Sequence, residues 1–406
     1  MAGGEKNLAK GSGWRTPFLA LALMAAANSF AFSSWNALHT NYAVEVIGFG
    51  GEQQGILHTV REIPGFLAFA AIFLLLFMRE QTLAILSVLT IGIGVAITGF
   101  FPTALGFYAT TVLKSLGFHY YETAAQSLAL QWFDKAVAPS RLGRISAIAS
   151  LATIIAYGLI FVTWKWLSLD YAWVFLASGA VAAGIGLAVW FAFPYFEGGT
   201  AQRKHLVIRR RYWLYYLITF IGGARRQIFI VFAVLMMVQE FGYRVSDMTL
   251  LLLANAVFTI LIAPRFGRFI ENWGERRSIL VEHAGLVAVF AAYALVSDPW
   301  IAALLYMLDN AFFSMSIAHR TYLQKIGDPA DMAPTAGVAF SINHIAAVFI
   351  PIPLGLLWDI HYTWVFWIGC GIAASGFLVS FLVPRDPAQG REVVGFLSSA
   401  TAPAAQ

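Results

Sequence analysis

The costliest chemistry in this 406-residue chain sits inside its least polar stretches. Arg225 and Arg226 are consecutive, follow Gly222-Gly223 and precede Gln227, all within an apolar run. Arginine keeps its charge in any plausible protein environment, and its planar fork matches a carboxylate or phosphate. The pair reads as a receptor for an anionic group or as the partner of an internal acid such as Glu122 or Asp309. Neighbours on a helix diverge by about 100°, so at most one of the two faces squarely into a cavity. Elsewhere Ser115, His119, Glu122 and Gln126 recur at helical spacing as one polar stripe. A His beside a Glu in low-dielectric surroundings suits proton carriage; a satisfied core hydrogen bond is the plainer alternative.

Further candidates follow the same logic. His58 shares a helix face with Arg61 and Glu62, whereas Arg61 and Glu62, being adjacent, are expected to point apart. Lys114 falls at a depth comparable to Glu62, and the two are candidates to pair across the N-terminal bundle. Asp309-Asn310, Ser316 and Asn343-His344 add an acid, amides and a second histidine. His319 and Arg320 approach a helix end, where snorkelling explains them. Ser29, Ser33, Asn36 and Thr40, with His39 alongside, line one helix face as cavity wall or as helix–helix glue. The candidate solute contacts are therefore Arg225, Arg226, Gln227, Asn36, Ser33, Asn310 and Asn343. The proton-handling candidates are His119, Glu122, His344, Asp309 and Glu62, and Arg61, Lys114 and His58 form a candidate ion-pair network. The spacings His58/Glu62 and His119/Glu122 also suit metal ligation, although Lys114 and the in-membrane arginines repel a bare cation.

Holding such groups requires helices in lipid. The chain is 59% hydrophobic and 12% charged, with mean hydropathy +0.72. A soluble domain carries roughly 25% charged residues, so too little polar surface exists here to cover a water-exposed globule. Apolar runs near the ~20-residue length of a span fall at 17–43, 54–78, 82–100, 105–131, 145–164, 172–193, 213–239, 247–266, 278–296, 300–323, 335–357 and 362–383. Arg225 then lies about twelve residues into its span, near mid-bilayer. Of the 26 Lys and Arg, 20 fall in the two tails, in alternate connections or at the span ends that border them (Arg265, Arg320), only Lys165 and Arg244 fall in the other connections, and Arg61, Lys114, Arg225 and Arg226 lie deeper within spans. By the positive-inside rule both termini are cytoplasmic and the span count is even. The same loops account for the net charge of +5, since cationic segments face anionic headgroups, and nucleic-acid binding has no other support.

Two in-register matches indicate a duplication. Asp170-Tyr-Ala-Trp-Val-Phe175 and His361-Tyr-Thr-Trp-Val-Phe366 open spans six and twelve. Asp134 to Ser140 precedes span five as Asp328 to Thr335 precedes span eleven. The expected domains are a six-helix bundle over 1–193, a basic cytoplasmic linker over 194–212, a second bundle over 213–385 and a flexible tail over 386–406. Parallel repeats of this kind place a solute site at their interface near the midplane.

Between spans eight and nine stands Gly267-Arg-Phe-Ile-Glu271-Asn-Trp-Gly274-Glu-Arg276-Arg277. This resembles the major facilitator loop signature, Gly-x-x-x-Asp-Arg-x-Gly-Arg-Arg, with Glu271 for its Asp, Asn272 for the following Arg and Glu275 for the first paired Arg. After span two only Met78-Arg79-Glu80 remains of the corresponding copy. The resemblance implies an all-α fold of twelve spans in two pseudo-symmetric bundles, a transporter that alternates its access, and a gating role for Gly267, Glu271, Gly274, Arg276 and Arg277. A solvated positive loop is the plainer reading of those residues. Span five reads Ile145-Ser-Ala-Ile-Ala-Ser-Leu-Ala-Thr-Ile154 and lacks the Gly-Pro-Gly-Gly pattern of proton-driven drug antiporters in this superfamily.

The resulting expectation is a proton-coupled secondary transporter of a small organic solute with an anionic group, monomeric, in a bacterial inner membrane. A metal-ion or metal-complex carrier and a non-transport membrane sensor are the alternatives. No phosphate loop, HExxH or nucleophile motif is present, so neither an enzyme nor a cofactor is expected. Cys370 is the single cysteine, which excludes an internal disulfide or CxxC metal site. The run after Pro17 is too long for a signal-peptide core and reads as the first span.

Overall fold

The computed structural model describes residues 13–67, 71–133, 137–167, 169–196, 208–328 and 332–394. Most of the basic linker, the last twelve residues of the tail and the Asp134 and Pro329–Asp331 parts of the repeat match lie outside the described residues. The described chain is helical almost throughout. In order it forms α1 (Pro17–Asn41), α2 (Gly51–Phe66), α3 (Ala71–Leu74), α4 (Glu80–Thr98), α5 (Ala104–Trp132), α6 (Ala138–Val162), α7 (Tyr171–Ala192) and α8 (Trp213–Gln227). There follow α9 (Val234–Gln239), α10 (Val245–Leu295), α11 (Pro299–Ser314), α12 (Ile317–Ile326), α13 (Met332–Phe349), α14 (Pro351–Ile360) and α15 (Tyr362–Ser380).

The ends of these helices are written in local chemistry. Thr16 accepts from the Leu19 amide at 3.2 Å with Pro17 in the first turn, and Asp298 caps Trp300 and Ile301 ahead of α11 with Pro299 likewise placed. Gly274, at φ 77° and ψ 166°, divides α10 into two helices; only glycine enters that region cheaply. The helix of span eleven breaks at Ile350, ahead of Pro351. A π-helical segment, Ile228–Ala233, joins α8 to α9 directly after the arginine pair.

Nine described stretches are long and apolar enough to cross a membrane. One of them, Val245–Leu295, holds two helices. With α2, 16 residues long, and α5, whose polar residues lower its hydropathy, the helices are consistent with twelve spans. Their outward faces are apolar: Trp300 and Phe191 are each 81% exposed and Leu295 73%. Lipid is the solvent that makes such surfaces stable.

Two compact units emerge, residues 1–49, 60–203 and 243–253, and residues 50–59, 204–242 and 254–406. In the first, α4 packs on α5 and α7, and α1 on α6 and α7. A side chain on Gly179 would collide with the backbone of Gly92 and Ala96, so α4 and α7 meet backbone to backbone, the small-residue packing favoured in lipid. In the second, α8 packs on α13 and α15, over a core that includes Leu214, Ile218, Ile279, Tyr322 and Val383.

Candidate functional site

The second unit holds a cluster of buried charges around Arg225. Arg225 on α8 is 1% exposed, and its guanidinium lies 3.5 Å from Glu282 Oε1 of α10 and 3.5 Å from Asp309 Oδ1 of α11. Both acids are fully buried. His319 of α12 places Nε2 3.1 Å from Glu282 Oε2, and the His283 ring stacks on that of His319 at 6.0 Å. Phe313 lies beneath both arginines, 5.7 Å from the Arg225 guanidinium and 5.8 Å from that of Arg226. Arg226 is only partly buried.

Of the two readings open for the pair, Arg225 takes the internal-acid one, with Asp309 as one partner. The other partner is Glu282, not Glu122, which instead accepts from Asn28 Nδ2 at 3.4 Å. Glu282 and His283 are absent from the sequence-based candidates. The signal that finds them is a charged residue inside an apolar run, Ser278-Ile-Leu-Val-Glu282-His283-Ala-Gly-Leu-Val287. His319, read from sequence as snorkelling, is 9% exposed and bound to the cluster.

The electrostatics of this cluster are unbalanced. Two carboxylates share one fully buried guanidinium, and both Arg225 contacts exceed the ~2.7–2.9 Å of a charge-assisted hydrogen bond. Arg225 Nε and Nη1, both Asp309 oxygens and His283 Nε2 have no hydrogen-bond partner. Leaving one buried acid unmatched costs several kcal/mol. One bound proton removes the excess charge.

Other expected solute contacts are scattered in role. Gln227 is 1% exposed, and Asn310 donates to Thr259 Oγ1 at 2.7 Å. Asn343 fills the notch over Gly223, its Oδ1 2.5 Å from where a methyl group would stand. In the first unit Ser33 donates to Thr153 Oγ1 at 2.9 Å, and Asn36 is half-buried with its carbonyl accepting from His39 Nδ1 at 3.0 Å. His344 donates from Nδ1 to the Phe340 carbonyl at 2.9 Å, and His58 is buried.

The first unit also corrects two expectations. Arg61 and Glu62 do meet, Nη2 to Oε1 at 2.6 Å, because the long arginine side chain spans the arc between adjacent helix positions. Lys114, a candidate partner of Glu62, seats its ammonium 4.0 Å from the Trp35 ring and 4.3 Å from Phe32. Aromatic faces attract a desolvated cation by about 2 kcal/mol, and α1 supplies both rings. A Glu62 carboxylate oxygen lies within 4.8 Å of a His119 ring nitrogen. Glu122 is exposed on its helix and His119 buried.

At the loop between spans eight and nine, the residue that departs from the signature forms the ion pair. Glu275, 3% exposed, meets Lys325 at 2.8 Å. Glu271 and Arg277 are exposed, Gly267 and Arg276 half-buried, and Gly274 makes the turn.

The family model of the Major Facilitator Superfamily matches residues 18–351. The chain belongs to the major facilitator superfamily. It is thus a multi-pass membrane transporter and not an enzyme. Its fold is similar to that of the nucleoside transporter NupG, with a TM-score of 0.72 at 13% identity over 90% of this chain and 98% of that one. It is also similar to the POT family transporter PepTSo, 0.73 at 12% identity over 91% and 98%. A bacterial homolog of the human lysosomal transporter Spinster gives 0.63 at 16% identity over 89% and 92%. No curated protein matches the sequence.

Proposed function

We propose that this major facilitator is a proton-coupled secondary transporter that moves a small organic solute bearing an anionic group by alternating access. It acts as a monomer in a bacterial cytoplasmic membrane, with both termini cytoplasmic and its bundles spanning 1–193 and 213–385. The observation that carries this reading is the second unit's buried cluster, in which Glu282 and Asp309 share Arg225. Asp309 is the proton's seat: its protonation leaves Arg225 to Glu282, and its ionisation restores the excess charge. Arg226, partly exposed beside Phe313, is the receptor for the solute's anionic group, because it keeps an accessible surface whereas Arg225 is 1% exposed. Glu62, His119 and Glu122 form a second polar track in the first unit.

The test is uptake into proteoliposomes across a panel of carboxylates, phosphates, amino acids, short peptides and nucleosides, with and without a pH gradient. The last two are included because the similar folds include a POT family peptide transporter and the nucleoside transporter NupG. An anionic solute accumulates only with the gradient, and Arg226→Ala weakens its recognition. Gradient-independent uptake, or normal recognition by Arg226→Ala, overturns the reading.

A further inference from the structure

We infer that Glu282, His283 and His319 form a binding site for a divalent transition-metal ion within the second unit. One ligand atom from each of the three lies within 4.8 Å of the others. His283 is fully buried, and its Nδ1 hydrogen is committed to the Ile279 carbonyl at 2.9 Å. That bond fixes the tautomer, so Nε2 carries a lone pair, and this atom has no hydrogen-bond partner. A metal-ligating histidine is oriented in the same way, by a backbone carbonyl on its other nitrogen. His319 Nε2 faces Glu282 Oε2 at 3.1 Å, and neither atom has a hydrogen-bond partner, so both are open to an ion. A side chain at position 376 would collide with the His283 ring edge; Gly376 leaves the room in which that ring is seated.

Two imidazoles and one carboxylate are a ligand set for zinc and neighbouring transition metals, with a fourth position left to water. Bonds of about 2.0–2.2 Å to one ion set donors about 3.4 Å apart, so donors now within 4.8 Å of one another draw in on binding. Arg225 does not occupy this face: it approaches the other carboxylate oxygen, Oε1, and is shared on its far side with Asp309. The set is distinct from the His58/Glu62 and His119/Glu122 spacings that the sequence offers. It shares Glu282 with the buried cluster of the proposed function, but it is argued from the two histidines and does not require that reading.

The test uses the full-length protein, untagged, in detergent, stripped with EDTA and titrated with Co2+, with Zn2+ as competitor. Wild type should bind one Co2+ per chain, with the visible absorption of a four-coordinate site, displaced by Zn2+. His283→Ala should weaken binding by about tenfold or more while staying monodisperse by size exclusion. His283→Cys keeps three donors, so it should retain Co2+ and gain a sulfur-to-cobalt charge-transfer band. That band decides the matter even if the alanine variant does not fold. Absence of binding in wild type overturns the site, as does a cysteine variant that binds Co2+ without the new band.

Discussion

The two units solve the same problem, charge inside lipid, in opposite ways. In the first unit each buried cation has a close local partner: Arg61 grips its neighbour Glu62 at 2.6 Å, and Lys114 rests on the rings of Trp35 and Phe32. In the second, Arg225 stands at 3.5 Å from each of two acids and satisfies neither fully. Tight local pairing holds helices together and has little reason to change. A shared, stretched pairing with an acid in excess changes its preferred geometry whenever a proton or another charge arrives. The contrast separates anchoring chemistry from working chemistry, and four substitutions test where that line falls.

The largest effect belongs to Arg225→Ala, which strands two buried carboxylates. It should lower unfolding free energy by about 3–5 kcal/mol, read as loss of thermal stability in detergent; a stable, folded variant breaks the contrast. Arg226→Ala, beside it but partly exposed, should fold normally and raise KM about tenfold, or ~1.4 kcal/mol of binding, in solute uptake. Glu275→Gln removes a pair whose Lys325 side chain is 51% exposed, so the melting shift should correspond to less than about 1 kcal/mol. Lys114→Met should do least. It orphans no acid, and an apolar isostere of a buried ion is often neutral, so stability and gradient-driven uptake should match wild type. Lost coupling in that variant would move the working chemistry into the first unit.

Much of the fold is legible in the sequence because lipid imposes one rule, about 20 apolar residues per span, on every element. The break at Pro351 and the turn at Gly274 are equally local in origin. The site is legible in part. Arg225 and Asp309 announce themselves as ions within apolar runs, and their pairing follows from burial. Glu282-His283 carries the same signal but becomes meaningful only when α10, α11 and α12 bring three sequence-distant positions around α8. The aromatic seat of Lys114 is built from α1, which no spacing within α5 reveals. Arg61 and Glu62 show the limit of helical-wheel reasoning: backbone directions diverge, yet a long side chain closes the gap.

The central claim is that the excess acid of the second unit carries the coupled proton. It is tested most directly by proton flux in proteoliposomes driven only by a solute gradient, wild type against Asp309→Asn. Wild type should move protons with the solute, while Asp309→Asn should exchange solute and move none. Equal proton movement in both would contradict the assignment.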